Sequence, residues 1–303
     1  MIGTKSRAAA LSIASNALLI ALKLVAGALT GSIAILTEAV HSTIDLVASV
    51  VAFASVRKAD EPADAEHPYG HGKVESLAAT VEGLLILLGA AIIVFEAIRR
   101  LVVGASVETL GVGFAVMGFS VLANLVVSSV LSRQARIDDS PALEGDAAHL
   151  RADALTSVGV LIGLALVEIT GDAAFDSITA LAVATAIVLA GVRIIRRSSG
   201  VLVDEALPAE EMDRIEAAIA AARTPEVAGY HKLRARRAGS RRHIDLHVQY
   251  RSGTTLERAH ELAHAMRDAI ETAIPRAEVL IHVEPETSLR DPARAREGPF
   301  RAG

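Results

Sequence analysis

Six apolar stretches of roughly 20 residues each, at 8–30, 33–56, 74–98, 110–131, 143–169 and 175–195, constrain this chain more than any other feature. A bilayer core about 30 Å thick needs about 20 apolar residues per crossing helix, so the pattern predicts a six-span, all-α membrane domain over 1–203. The 52% hydrophobic content agrees with a polytopic membrane protein and exceeds that of an ordinary soluble domain. The first apolar run continues past Lys23 to Thr30, too long for a signal-peptide core, and is read as a span. With six spans, Lys5, Arg7, Arg57, Lys58, Lys73, Arg133, Arg136, Arg193, Arg196 and Arg197 fall on one side and chiefly Arg99 and Arg100 on the other. The positive-inside rule then places both termini in the cytoplasm.

After Asp204 the apolar runs stop. An amphipathic helix (208–223), two alternating strands (228–238 and 241–250), a second helix (256–274) and a last strand (278–284) follow. This order predicts a small cytoplasmic α+β domain of αββαβ type over 204–286. Residues 287–303, with Arg290, Arg294, Arg296 and Arg301, have little to bury and are expected to be a disordered tail.

Ionisable side chains are costly inside a membrane and seldom idle there. Two spans carry the pattern His-x-x-x-Asp, as His41/Asp45 and His149/Asp153. Positions i and i+4 share a helix face, so each pair directs an imidazole and a carboxylate the same way. Asp153 lies roughly 15 Å into its span, similar in depth to His41 and Asp45. If the two helices face each other, the four groups make a metal or proton site, and a tetrahedron of two nitrogens and two oxygens suits zinc. Without cysteine, any metal must be held by His, Asp and Glu. Thr37, Ser42 and Ser157 are candidates for orienting the ligands, or for bonding back to helix carbonyls. Arg151, two positions from His149, should point about 200° away from the site. Glu38, Glu75, Glu82 and Glu96 are further acids within spans, and Glu82 has no evident role.

Two other groups are open between a metal site and a solvated polar surface. Asp64, His67 and His71 crowd into the loop after the second span, among glycines that permit a tight wrap. In the second domain, His231 lies on the first strand, His243 and His247 share a face of the next, and His282 and Glu284 share a face of the last.

Together these residues resemble the cation diffusion facilitators, proton-coupled exporters of divalent metal. The resemblance runs from about Arg7 to Glu286 and rests on Ser12-Ile-Ala-Ser-Asn-Ala-Leu-Leu, His41-Ser-Thr-Ile-Asp45, Pro62-Ala-Asp64 with His67-Pro-Tyr-Gly-His71-Gly-Lys73, and Gly145-Asp-Ala-Ala-His149-Leu-Arg-Ala-Asp153. It implies a transport site at His41, Asp45, His149 and Asp153, a loop site at Asp64, His67 and His71, and cytoplasmic sites at His231, His247, His260, His282 and Glu284. Glu284 stands where the family pattern has Asp, and the His form at position 41 is similar to zinc-selective members. The resemblance also implies a homodimer with a charge interlock at Lys73 and Asp204.

The expected function is a Zn2+/proton antiporter of the bacterial cytoplasmic (inner) membrane that exports metal from the cytosol. Zinc would be both its substrate and its regulatory ligand. Neither an enzymatic activity nor a nucleic-acid partner is expected. The alternatives are a membrane-anchored zinc sensor and an intramembrane zinc hydrolase. Against the hydrolase, four protein ligands would close the coordination shell, with no added Glu base beside them.

Overall fold

The structure, a computed structural model, describes residues 3–30, 33–103, 111–172 and 174–288. It divides into two compact units, Met1–Gly200 and Val201–Gly303.

The first unit contains α1 (Thr4–Thr30), α2 (Ile33–Ala59), α3 (Lys73–Val103), α4 (Gly111–Asp138), α5 (Pro141–Thr170) and α6 (Ala174–Leu202). Each expected span lies on one of these helices, apart from residue 110, which lies outside the described residues. Among the described residues, five helices, α1, α3, α4, α5 and α6, are long and apolar enough to cross a membrane. The 27 residues of α2 extend about 40 Å, enough for the sixth crossing.

Many large apolar side chains of this unit face outward, unlike those of a water-soluble bundle. Ala9, Ala52, Ala90 and Ala142 are fully buried between helices, whereas Leu29, Leu88, Phe95, Leu122 and Leu189 face outward. Lipid tails solvate Leu as well as another helix does, so large side chains can face outward, while small residues at the helix contacts let backbones approach beside buried Leu131, Leu143 and Leu150. At Gly159 a Cβ would stand 2.5 Å from Val183 Cγ2, so the close seating of α6 on α5 requires glycine there.

The caps of α5 follow from sequence. Ser140 at the N-cap, with its hydroxyl accepting from the Leu143 amide, and Pro141 in the first turn start the helix; Gly171 ends it at φ 73°.

The second unit has the expected order: α7 (Ala209–Ala221), β1 (Val227–Ala238), β2 (Arg241–Tyr250), α8 (Leu256–Ala273) and β3 (Ala277–Pro285). The sheet runs β1-β2-β3, antiparallel and then parallel, with α8 supplying the crossover that parallel pairing needs. Ile215 and Ile219 of α7, Ile244, Leu246 and Val248 of β2, and Leu262, Met266 and Ile270 of α8 form its core. Alternate β2 residues therefore face the helices, and His247 falls on the other face. Of the expected tail, Thr287 and Ser288 belong to a short 3-10 turn, Glu286–Ser288, and residues 289–303 lie outside the described residues.

Candidate metal centre

Asp45 on α2 meets His149 and Asp153 on α5. His149 Nε2 lies 3.3 Å from Asp45 Oδ1 and 3.8 Å from Asp153 Oδ2. One ligand atom from each residue falls within 4.8 Å of the others, and Asp45 and His149 are buried. A pair of oxygens and an imidazole nitrogen this close, with little water, is a donor set for a small divalent cation. His41 occupies the helix position one turn before Asp45, and its side chain lies outside the described residues.

A buried polar network underlies this site. Asn16 Nδ2 donates to the Asp45 carbonyl (3.4 Å) and to Ser49 Oγ (2.9 Å). The Ser12 and Ser49 hydroxyls lie 2.9 Å apart, and each approaches Asp146 Oδ1 at 3.1 Å as donor. The network joins α1, α2 and α5 through groups that the bilayer could not satisfy. Sequence reasoning missed it, although Ser12/Asn16 and Asp45/Ser49 are both i, i+4 polar pairs within spans.

The other intramembrane polar residues sort differently. Ser42 accepts from Lys23 Nζ at 2.8 Å. Arg151 is exposed and donates to the Ser132 hydroxyl of α4, pointing away from the site as expected. Glu96 is held by Arg99 and Arg100. Glu75 accepts from Lys5 at 3.1 Å and from the Ser140 hydroxyl. Thr37 and Glu38 have side chains outside the described residues.

The loop cluster also closes. Asp64 Oδ1 lies 3.2 Å from His67 Nδ1, Asp64 Oδ2 lies 3.3 Å from His71 Nε2, and the two rings are 4.5 Å apart. Backbone N–H groups of His67 (2.6 Å) and Glu66 (3.0 Å) donate to the same carboxylate. These donors, that of His67 first, hold the Asp64 carboxyl below the usual range. Gly70, at φ 79°, makes the turn that returns the chain toward His71.

In the second unit, strand register places His231 opposite His247 and His247 opposite His282, one row across three strands. Glu284, two residues beyond His282, reaches back along the same face. Its carboxylate lies 3.0 Å from His231 Nε2, 2.5 Å from His247 Nδ1 and 3.5 Å from His282 Nε2. His260 stands apart from this row, on α8 with its ring 4.3 Å from that of His264. His243 is buried beside Glu278 at 3.5 Å, and burial pushes its imidazole below the ordinary histidine range. Of the two residues expected to interlock, Lys73 opens α3, and the Asp204 carboxylate accepts from Arg236 at 3.0 Å.

Residues 9–203 match the cation efflux transmembrane domain, and residues 207–286 match the cation efflux protein cytoplasmic domain. The chain belongs to the cation efflux family of cation diffusion facilitators. It is 34% identical to an uncharacterized transporter of Synechocystis sp., covering 94% of this chain and 90% of that one. It is also 34% identical to the cation-efflux pump FieF of Serratia proteamaculans, covering 91% of each. A solved structure of CzrB, a candidate zinc transporter, in its Zn form is 38% identical over 28% of this chain and 96% of that chain, with a TM-score of 0.27. This cation efflux chain is therefore a membrane transporter of metal cations with a cytoplasmic domain.

Proposed function

We propose that the protein is a Zn2+/proton antiporter, working as a homodimer in the bacterial cytoplasmic membrane and exporting metal from the cytosol. The observation that carries this reading is the buried cluster of Asp45, His149 and Asp153, with His41 one turn along α2. Imidazole and carboxylate bind either a proton or a metal ion, so the two cargoes exclude each other at one site. Exposing that site to each side in turn couples the two gradients without a separate proton path. Zinc suits a mixed nitrogen and oxygen donor set.

Asp64, His67 and His71, and the row of His231, His247 and His282 with Glu284, serve as regulatory zinc sites; His260 joins the cytoplasmic set by resemblance alone. Lys73 and Asp204 keep the interlock role that the family pattern gives them.

The test is zinc flux in sealed proteoliposomes under an imposed pH gradient. Zinc should move against its own gradient, and collapse of the pH gradient should stop that movement. Zinc-binding protein that moves no zinc would instead support a sensor, and zinc flux indifferent to the proton gradient would exclude antiport.

The second unit allows a separate prediction. Residues 201–288 have their own core, so this fragment should fold and be stabilised by zinc, which binds the folded row of ligands. At a zinc concentration 100 times Kd the gain is about 2.7 kcal/mol. His247→Ala removes the centre of the row and should abolish most of the zinc-induced rise in melting temperature. An undiminished rise would show that the row is merely polar surface.

A further inference from the structure

Glu82 of α3 is fully buried, and neither of its carboxylate oxygens has a hydrogen-bond partner among the described residues. Such a group in a membrane helix is costly to keep. Its Oε2 lies 4.0 Å from His149 Nδ1, an atom that is likewise buried without a hydrogen-bond partner. The other nitrogen of that ring, Nε2, faces Asp45 and Asp153. The imidazole thus stands between the ligand cluster and Glu82, one nitrogen toward each.

The packing that brings Glu82 here is specific. A Cβ on Gly145, one turn before His149, would lie 3.2 Å from Ala79 Cα and 3.2 Å from Glu82 Cβ. Glycine lets α5 press onto α3 at this level and sets the stem of Glu82 beside His149. From 4.0 Å, a shift of about 1 Å by the flexible carboxylate makes a hydrogen bond.

A neutral imidazole carries one proton, on either nitrogen. On Nε2 that proton occupies the lone pair that the ligand cluster needs. An acceptor beside Nδ1 draws it to the other side and fixes the ring plane as well. We propose that Glu82 is a positioning residue of the cation site: its carboxylate accepts the Nδ1–H of His149 and so presents the Nε2 lone pair to the cargo. This rests on the transport-site reading above.

The test uses the full-length protein in proteoliposomes, with zinc-dependent flux measured for the parent, Glu82→Leu, Glu82→Gln and Asp45→Ala. Loss of an orienting acceptor typically weakens metal binding by about 10- to 100-fold. Glu82→Leu should raise the half-saturating zinc concentration by that factor while changing the maximal rate less. Glu82→Gln retains an accepting oxygen and should stay near the parent. Parental half-saturation in Glu82→Leu, or a Gln variant as impaired as the Leu variant, overturns the proposal. If Asp45→Ala transports like the parent, the transport-site reading itself has failed. A second measurement needs no Glu82 variant. Nitrogen NMR of the zinc-loaded parent, with the His149 signal assigned by its loss in His149→Asn, should show a protonated Nδ1 and a zinc-bound Nε2; a protonated Nε2 or a zinc-bound Nδ1 would overturn the proposal.

Discussion

Asp45→Ala and Asp153→Ala should each lower zinc flux by more than about 100-fold while leaving the folded protein intact. Removing a group that merely orients a ligand costs about 10- to 100-fold in metal affinity, and removing the ligand itself must cost more. The geometry leaves little compensation. His149 Nε2 has Asp45 on one side at 3.3 Å and Asp153 on the other at 3.8 Å, so losing either carboxylate strips the ring of one anionic neighbour and the cation of one oxygen. A carboxylate lost is also a proton-exchanging group lost, which weakens the coupling as well as the binding. The apolar interior around Ala9, Val56, Leu131, Leu143 and Leu150 involves neither residue, so the melting temperature should move little. Flux into proteoliposomes loaded with a zinc-sensitive dye, beside thermal unfolding of the same preparations, checks both halves. Parental flux in either variant would remove that residue from the site.

How much of this was legible in sequence depended on whether the deciding contact lay within one element or between two. Helical period placed Asp153 on the face of His149, and strand period placed Glu284 on the face of His282; both survive in the structure. Hydropathy alone located the spans, because a bilayer demands unbroken apolar length. Partners between helices carried no such signature. Nothing in the run around Glu82 indicates that it turns toward His149, and nothing near Ser12 indicates that α5 brings Asp146 against it. Helix contacts in a membrane are set by small residues and polar pairs, which leave a faint periodic trace because lipid-facing and helix-facing positions are both apolar. The row of His231, His247 and His282 is intermediate. Each strand showed which face its histidine takes, but only the register of three strands aligns them.

Glu75→Leu should be among the most destabilising single substitutions in the membrane unit. Glu75 is 1% exposed and receives Lys5 Nζ at 3.1 Å, while Lys5 also reaches Asp60 at 2.7 Å. The Ser140 hydroxyl, at the start of α5, donates to the other oxygen of Glu75. One carboxylate thus ties the first turns of α1, α3 and α5, and through Lys5 the residue that follows α2. With leucine in its place, Lys5 keeps, among the described residues, only the exposed Asp60, and the Ser140 hydroxyl loses its acceptor. Breaking a buried ion pair from one side costs about 3–5 kcal/mol when the remaining charge is left unpaired, and because Lys5 retains Asp60 the loss here falls at the lower end of that range. For a unit of this size that corresponds to a fall of roughly 10 °C in melting temperature. The double variant Lys5→Met/Glu75→Leu removes the stranded charge and should recover much of the loss, since two apolar side chains pack where two charges had to be compensated. A Glu75→Leu protein that melts with the parent would show that the four-helix tie contributes nothing. A double variant no better than the single would show that the carboxylate acts through Ser140 and the start of α5 rather than through Lys5.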